Sequence, residues 1–423
     1  MMQMSIVRGV HQQRLRGAAD CLAFALVTSL PLSTSATSII VVIWAVVLIP
    51  TLDWRDVRAE LMTAAGGLPV ALVLLGIAGM LWASGTLSDR LHGLDSFMKL
   101  LAVPLLLVQF RRSRRGLIVL VGFLAACAVV LVLSDTFAVF PQTAFLTTEH
   151  FAVPVKSGPT QSGEFVLCIF VLLYLAIDEY RSGRWLRVSA CLVLATLFLV
   201  NIVFVALSRT ALVDLVVLLL VLGLKKFNTR GFLLLLAVAV VIAVTSFASS
   251  QYLRWRVFAV ESELTAYWST GAQNSSGERL EFYKKSVGFI ASALLIGHGT
   301  GSIPLLFQQS AAGRTGASGS ATTNPHNQTF AVGIQLGVVG MIVLWAMWVA
   351  HVFLFRGDGL GPFIGSIVVI QNIVGSILNS HLFDFSQGWI YVVGVGIVGG
   401  VVRRKASAQS AGPGDKISSD QLR

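Results

Sequence analysis

Three residues of this chain pair a reactive side chain with a boundary position. They are Arg209 in S-R-T-A, Arg279 in S-G-E-R-L-E-F-Y and His326 in T-N-P-H-N-Q. Arg209 stands between two strongly apolar runs, where a charge is costly and a functional site is the default expectation; a guanidinium snorkelling from a helix end is the plainer reading. Arg279 follows Ser275 and Glu278, spaced as a capping box. That puts it in a first helical turn, where free backbone N–H groups also favour an anion. An arginine beside a helix N-terminus suits a phosphate or pyrophosphate, but a solvated arginine paired with a glutamate explains the spacing equally well. For His326, Asn324 reads as the N-cap and Pro325 as the first helical residue. A positive helix terminus favours neutral imidazole, the form a general base needs, although a histidine there can also be purely structural.

Other polar residues near boundaries form a second rank. Lys99 lies inside the start of an apolar run, Asp384 falls in N-S-H-L-F-D-F near His381, and Arg254 and Arg256 flank Trp255 as an interfacial anchor would. Glu261 and Glu263 read as ordinary loop residues. G-H-G-T-G-S (297–302) and the glycine-rich segment near Gly316 read as flexible loops that could order around a substrate. Gly333 and Gly337 are spaced for close helix packing. There is no D-x-D, H-E-x-x-H, Walker A or dinucleotide fingerprint. This argues against metal-dependent glycosyl or phosphoryl transfer and against an ATP-driven pump, so the expectation is no metal and no cofactor.

The elements that must position these groups are transmembrane helices. The chain has 423 residues, 55% hydrophobic and 12% charged, about half the charge of a soluble domain. Its apolar runs are long enough to span a bilayer and do not alternate as barrel strands would, so the fold class is all-α integral membrane. Twelve candidate spans fall at about 18–33, 36–50, 68–83, 96–110, 117–133, 163–177, 188–206, 211–224, 231–246, 329–355, 362–378 and 388–402. The N-terminal run resembles a signal peptide, but a second run follows at once, which favours a retained first helix. The four cysteines lie in apolar runs and read as packing residues.

Arg and Lys collect in alternate connections: before span one and after spans two, four, six, eight, ten and twelve. This is the positive-inside pattern. The net charge of +11 is therefore an orientation signal, and no nucleic-acid partner is expected. Both termini are expected in the cytoplasm and the long polar block outside. The domains read as a nine-span bundle (1–246), an outer loop (247–328), three further spans (329–402) and a disordered cytoplasmic tail (403–423). The loop carries a helix with apolar positions Leu280, Val287, Ile290 and Leu294, suited to lying on the membrane or against the bundle. No internal repeat is found, which argues against an inverted-repeat transporter.

Taken in order, S-R-T-A opening a span, the outer helix S-G-E-R-L-E-F-Y running into G-H-G-T-G-S, and His326-Asn327 followed after nine residues by Gly337-Val-Val-Gly340 resemble the O-antigen ligase family. The likeness covers about 200–345, with Phe282-Tyr283 where the family usually has Trp. The resemblance implies a glycosyltransferase C-type fold and a metal-independent enzyme of the Gram-negative inner membrane with a periplasmic active site. It would transfer O-antigen from undecaprenyl pyrophosphate to lipid A–core. It further implies that Arg209 and Arg279 bind the donor pyrophosphate and that His326 deprotonates the acceptor, with Lys99 and Asp384 as looser matches. An O-antigen polymerase and, in a different class, a lipid-linked oligosaccharide transporter are the alternatives.

Overall fold

The computed structural model describes residues 2–143, 152–206 and 208–410. The described residues are helical, with no strand among them. In chain order the α-helices are α1 (Met2–Ser29), α2 (Thr34–Leu48), α3 (Trp54–Leu61), α4 (Ala64–Gly79), α5 (Leu87–Met98), α6 (Ala102–Arg112), α7 (Gly116–Val139), α8 (Gly158–Arg181) and α9 (Trp185–Phe204). They continue as α10 (Arg209–Lys226), α11 (Thr229–Ser249), α12 (Gln251–Thr270), α13 (Ser275–Ser292), α14 (Ile303–Ala311), α15 (Gln328–Leu354), α16 (Leu360–Leu378), α17 (Phe385–Val393) and α18 (Gly399–Ser410).

Each of the twelve expected spans falls on a helix. Among the described residues, nine helical stretches are long and apolar enough to cross a membrane, with α15 counted end to end across its break at Gly337. The other three segments are α1, α10 and the pair α3 and α4, which bends by 84°. Helix α10 has four charges within its length, from Arg209 to Lys226. The chain is a multi-pass helical membrane protein. Its core forms where α8 meets α9 and α10, α16 meets α10 and α15, and α6 meets α18. By contrast, α11 has no buried residue. A periodic pattern cannot show this difference, because lipid and protein neighbours select the same side chains. The described part of the tail continues α18 to Ser410; residues 411–423 lie outside the described residues.

Helix α15 departs from the expected straight span at 329–355. Its backbone breaks at Gly337, with φ 62° and ψ −159°. The Nε1 of Trp345 donates to Oγ1 of Thr329 at 3.2 Å, whereas an unbroken helix would hold these residues about 24 Å apart. A Cβ added to Gly333 would stand 2.8 Å from Met341 Sδ, so the segments before and after Gly337 fold back on one another. The short arm, Gln328 to Leu336, is about 13 Å long and cannot cross a bilayer core of about 30 Å.

Gly337 is therefore the apex of a helical hairpin, and the nine-residue spacing from His326-Asn327 is the length of the short arm. A Cβ at Gly337 would meet the Leu295 backbone at 2.4 Å, so only glycine satisfies both the dihedral angles and the approach.

The glycine-rich loop 297–302 holds this apex. His298 N donates to the Ile334 carbonyl at 2.8 Å and Gly299 N to that of Gln335 at 2.9 Å; in return, Val338 N donates to the Leu294 carbonyl at 2.9 Å. These bonds satisfy backbone groups freed by the break. The loop is thus a structural clamp, contrary to the flexible-loop expectation: Thr300 at its centre is fully buried and bonds the Gly76 and Gly79 carbonyls of α4.

Candidate functional site

Helix α13 organises the site. Asn274, not Ser275, is its N-cap; its Oδ1 accepts from Gly277 N at 2.9 Å. The expected capping box does not form, because Glu278 accepts from Gln273 Nε2 and Ser320 Oγ. Of the expected face of Leu280, Val287, Ile290 and Leu294, Ile290 packs against the cluster of Phe282 and Phe307, but Val287 and Leu294 are exposed. Gly277, Phe282 and Ser286 are buried while Val287 is 56% exposed. Phe282 and Phe289 meet Phe307 of α14 edge-on; paired aromatic burial outweighs a stripe of aliphatic residues. The segment near Gly316 is tied to α13 as well, with Lys285 Nζ donating to the carbonyls of Ser318 and Ser320.

Arg209 is the first residue of α10, behind the N-cap Ser208. Its Nη2 lies 3.2 Å from Glu263 Oε1 and its Nη1 lies 3.2 Å from Ser276 Oγ on α13, while its buried Nε has no hydrogen-bond partner. Glu263 therefore belongs to the site. It lies on α12, not in a loop, and also accepts from Ser276 N and Oγ. Burial raises its pKa, but the bonds from Ser276 and the charge of Arg209 outweigh that and hold the carboxyl below its ordinary value.

Arg279 follows Ser276 by one turn. Unlike Arg209, it has no hydrogen bond or ion pair among the described residues. Its guanidinium is half-buried, and its pKa is lowered by burial and by the nearby charge of Arg209. An arginine in this state gains from any phosphate that reaches it.

His326 precedes the helix instead of occupying its first turn. The N-cap of α15 is Asn327, whose Oδ1 accepts from Phe330 N at 3.0 Å. His326 adopts a left-handed backbone, φ 54°, and both of its backbone polar groups are held. Its N–H donates to Asn324 Oδ1 at 2.8 Å, and its carbonyl accepts from the Tyr283 hydroxyl at 3.0 Å. Asn324 does accept from the His326 amide as a cap would, but the left-handed backbone of His326 stops a helix from starting there and moves the cap to Asn327.

A hydrogen-bond chain fixes the imidazole tautomer. The His326 backbone N–H can only donate, so the Asn324 atom facing it is the oxygen and the other terminus is the amide nitrogen. That nitrogen meets Asn379 Oδ1 at 3.0 Å. The same Asn379 oxygen lies 3.1 Å from His326 Nδ1. An acceptor oxygen requires Nδ1 to carry the proton, which leaves the lone pair on Nε2. Burial, with the nearby charge of Arg279, lowers the His326 pKa against the opposing bond to Asn379. The ring is a neutral base with a defined free nitrogen, lying nearly parallel to Phe282 with centroids 6.1 Å apart.

Arg209, Arg279 and His326 thus gather around α13. The remaining expected residues do not join them. Lys99 Nζ donates to the carbonyls of Phe383 at 3.0 Å and Asp384 at 2.8 Å. The Asp384 carboxylate caps α17 through Gln387 N, and Asp384 lines a cavity with Asn324, Pro325 and His92. Arg254 bonds the carbonyls of Phe247 and Ala248 at the end of α11. Arg256 bonds the Tyr252 hydroxyl, with Trp255 beside it. Ser276, Asn379 and Glu263 are the site residues that sequence reasoning missed. Asn379 had a faint signal in its closeness to His381 and Asp384. No group of three His, Cys, Asp or Glu side chains able to hold a metal occurs among the described residues.

Residues 192–345 match the family model for O-antigen ligase. Over these residues the chain is similar to the O-antigen ligase family. The match runs from α9 into the second arm of the α15 hairpin, so it contains Arg209, Arg279, His326 and the Gly337 apex and leaves out Lys99 and Asp384. No curated protein matches the chain. Within the matched residues the site offers two cations, one partnerless and one held by an exchangeable carboxylate, beside a neutral imidazole. That set can bind an anionic leaving group and accept a proton.

Proposed function

We propose that this protein is an O-antigen ligase. It transfers O-antigen from undecaprenyl pyrophosphate to lipid A–core at the periplasmic face of the Gram-negative inner membrane, with both termini in the cytoplasm. The observation that carries the reading is the pairing of a tautomer-fixed His326 with the partnerless Arg279 beside it.

The acceptor hydroxyl gives its proton to His326 Nε2. Its oxygen forms a bond to the anomeric carbon of the donor as the bond from that carbon to the pyrophosphate oxygen breaks. The electron pair leaves on the pyrophosphate, where Arg279 and Arg209 stabilise the charge. A pyrophosphate is already an activated leaving group, so the protein supplies a base, cations and positioning. On this reading Glu263 occupies the Arg209 guanidinium until the donor arrives. The alternate basic connections support the orientation, because they put the long polar block on the outer side.

The test uses the purified full chain in liposomes with lipid-linked O-antigen and lipid A–core, in chelator and without nucleotide. Covalent glycolipid product, lost in His326→Ala, is expected. Product formed only when a second lipid-linked glycan is the acceptor would mark a polymerase. Movement of the donor between leaflets without any product would overturn the enzyme reading altogether.

A further inference from the structure

A groove runs along the second arm of α15 and the outer half of α16. It encloses about 540 Å³ and is lined by Thr329, Trp345, Trp348, Val349, Ile373, Ser376 and Ile377, among others. This volume is in the range that buries a small ligand. Its upper end is joined to the site: Thr329 is three residues beyond His326, and the Ile377 carbonyl accepts from the Tyr283 hydroxyl and from Asn327 Nδ2. Its lips are open, with Val349 54% and Ile377 58% exposed. The break at Gly337 creates the groove, because it brings Thr329 level with Trp345.

Apart from Thr329 and Trp345, which bond one another, the wall is apolar except for two groups. Trp348 Nε1 and Ser376 Oγ are buried and have no hydrogen-bond partner; the two residues are 7% and 2% exposed. An indole N–H and a hydroxyl left unpaired in an apolar wall are costly. Both residues line the groove, but neither donor atom is open to it as the side chains stand, so an oxygen atom carried by the occupant would reach them only with a side-chain shift.

This distinguishes the two kinds of tail that a membrane glycolipid can have. A polyprenyl chain is hydrocarbon throughout and offers nothing to either group. An acyl chain has an ester or amide carbonyl, and often a hydroxyl, within a few carbons of the headgroup. Ser376 precedes Asn379 by three residues, about 4.5 Å along the axis, so the unpartnered groups lie just below His326, at the depth of such oxygens.

We propose that this groove is the binding site for an acyl chain of the acceptor lipid, with its oxygen received by Trp348 and Ser376. The proposal rests on the acceptor reading given above and assigns the donor's polyprenyl tail to a different surface.

The test is a binding measurement that needs no turnover. The full chain in liposomes is photolabelled with a diazirine-bearing 3-hydroxyacyl glucosamine lipid, and in parallel with a diazirine-bearing polyprenyl phosphate. Labelled peptides are mapped by mass spectrometry. The acyl probe is expected to label 345–353 and 373–377, and unlabelled acylated glucosamine lipid, but not polyprenyl phosphate, is expected to compete. Trp348→Phe and Ser376→Ala keep the shape and remove the donors. Each should weaken competition about threefold to tenfold, the scale of one net hydrogen bond.

Labelling of these peptides by the polyprenyl probe alone would overturn the assignment, as would equal competition by an acyl lipid and an oxygen-free alkyl analogue. Neither result bears on whether the protein is a glycosyltransferase. Conversely, specific acyl labelling in a chain that transfers no sugar would leave the groove standing and remove the ligase reading.

Discussion

Two boundary regions of this protein present cations, and they use them in opposite ways. Around α13, Arg279 has no partner and Arg209 is held by a carboxylate that an incoming anion can replace. At the start of α17, Lys99 is only 8% exposed and is consumed by two backbone carbonyls. A positive charge near a membrane surface therefore says little until its partners are known. A cation bonded to carbonyls stabilises a turn, whereas a cation facing a carboxylate, or nothing, is available to a ligand.

The largest expected effect that sharpens this comparison is at the base beside the free cations. His326→Ala should lower transfer by about 10²- to 10⁴-fold, the usual range for general-base catalysis, and donor binding measured by equilibrium methods should survive. Near-normal turnover in that variant would remove the general-base assignment. Next, Arg279→Ala should weaken donor binding about tenfold to a hundredfold, as expected for lost charge-assisted bonds.

The pH dependence follows from the depressed His326 pKa. The imidazole is in its base form above that pKa, so the acid limb of kcat/KM lies below the ordinary imidazole value and activity is lost as pH falls through it. Asn379→Asp places a carboxylate on Nδ1–H, favours the imidazolium and should move the limb upward by about one unit. An unmoved limb would mean that another group sets the profile.

Lys99→Met tests the other region. It leaves the Phe383 carbonyl unpaired and the Asp384 carbonyl with only its bond from Gly388 N, at about 1–3 kcal/mol, so thermal stability in detergent should fall while donor affinity holds. A drop in donor affinity to match Arg279→Ala would erase the distinction between the two regions. The smallest effect belongs to Glu263→Gln. Releasing a half-exposed ion pair should tighten donor binding only about twofold to fivefold, and weaker binding would show that Glu263 positions Arg209 instead of competing for it.

Much of the fold was legible in the sequence because hydropathy is a local property. Every expected apolar segment is helical, and the residues Arg209, Arg279 and His326 converge as their motif order suggested. Local capping was read less well. Asn274 and Asn327 cap the two helices, displacing Ser275 one residue later and Asn324 three residues earlier, because a nearby asparagine can form the same bond and only the path of the chain selects it. Glu263 was dismissed because its partner, Arg209, is distant in sequence. The straight tenth span was misjudged for a related reason. Gly337 sits in a run that stays strongly apolar apart from Gln335, and hydropathy does not register a dihedral angle.

By itself the sequence determined the solvent, with helices for lipid, and offered the candidate groups: guanidinium groups suited to an anion and an imidazole suited to a proton. Those depend on side-chain type and on periodicity along one helix. The tertiary structure decided which cations are free, which imidazole nitrogen carries the lone pair, and that the His326-to-Gly337 spacing measures one arm of a hairpin. Each of these depends on a contact between distant segments, such as Lys99 with Asp384, His326 with Asn379, or Gly337 against Leu295, and a one-dimensional pattern does not encode such distances.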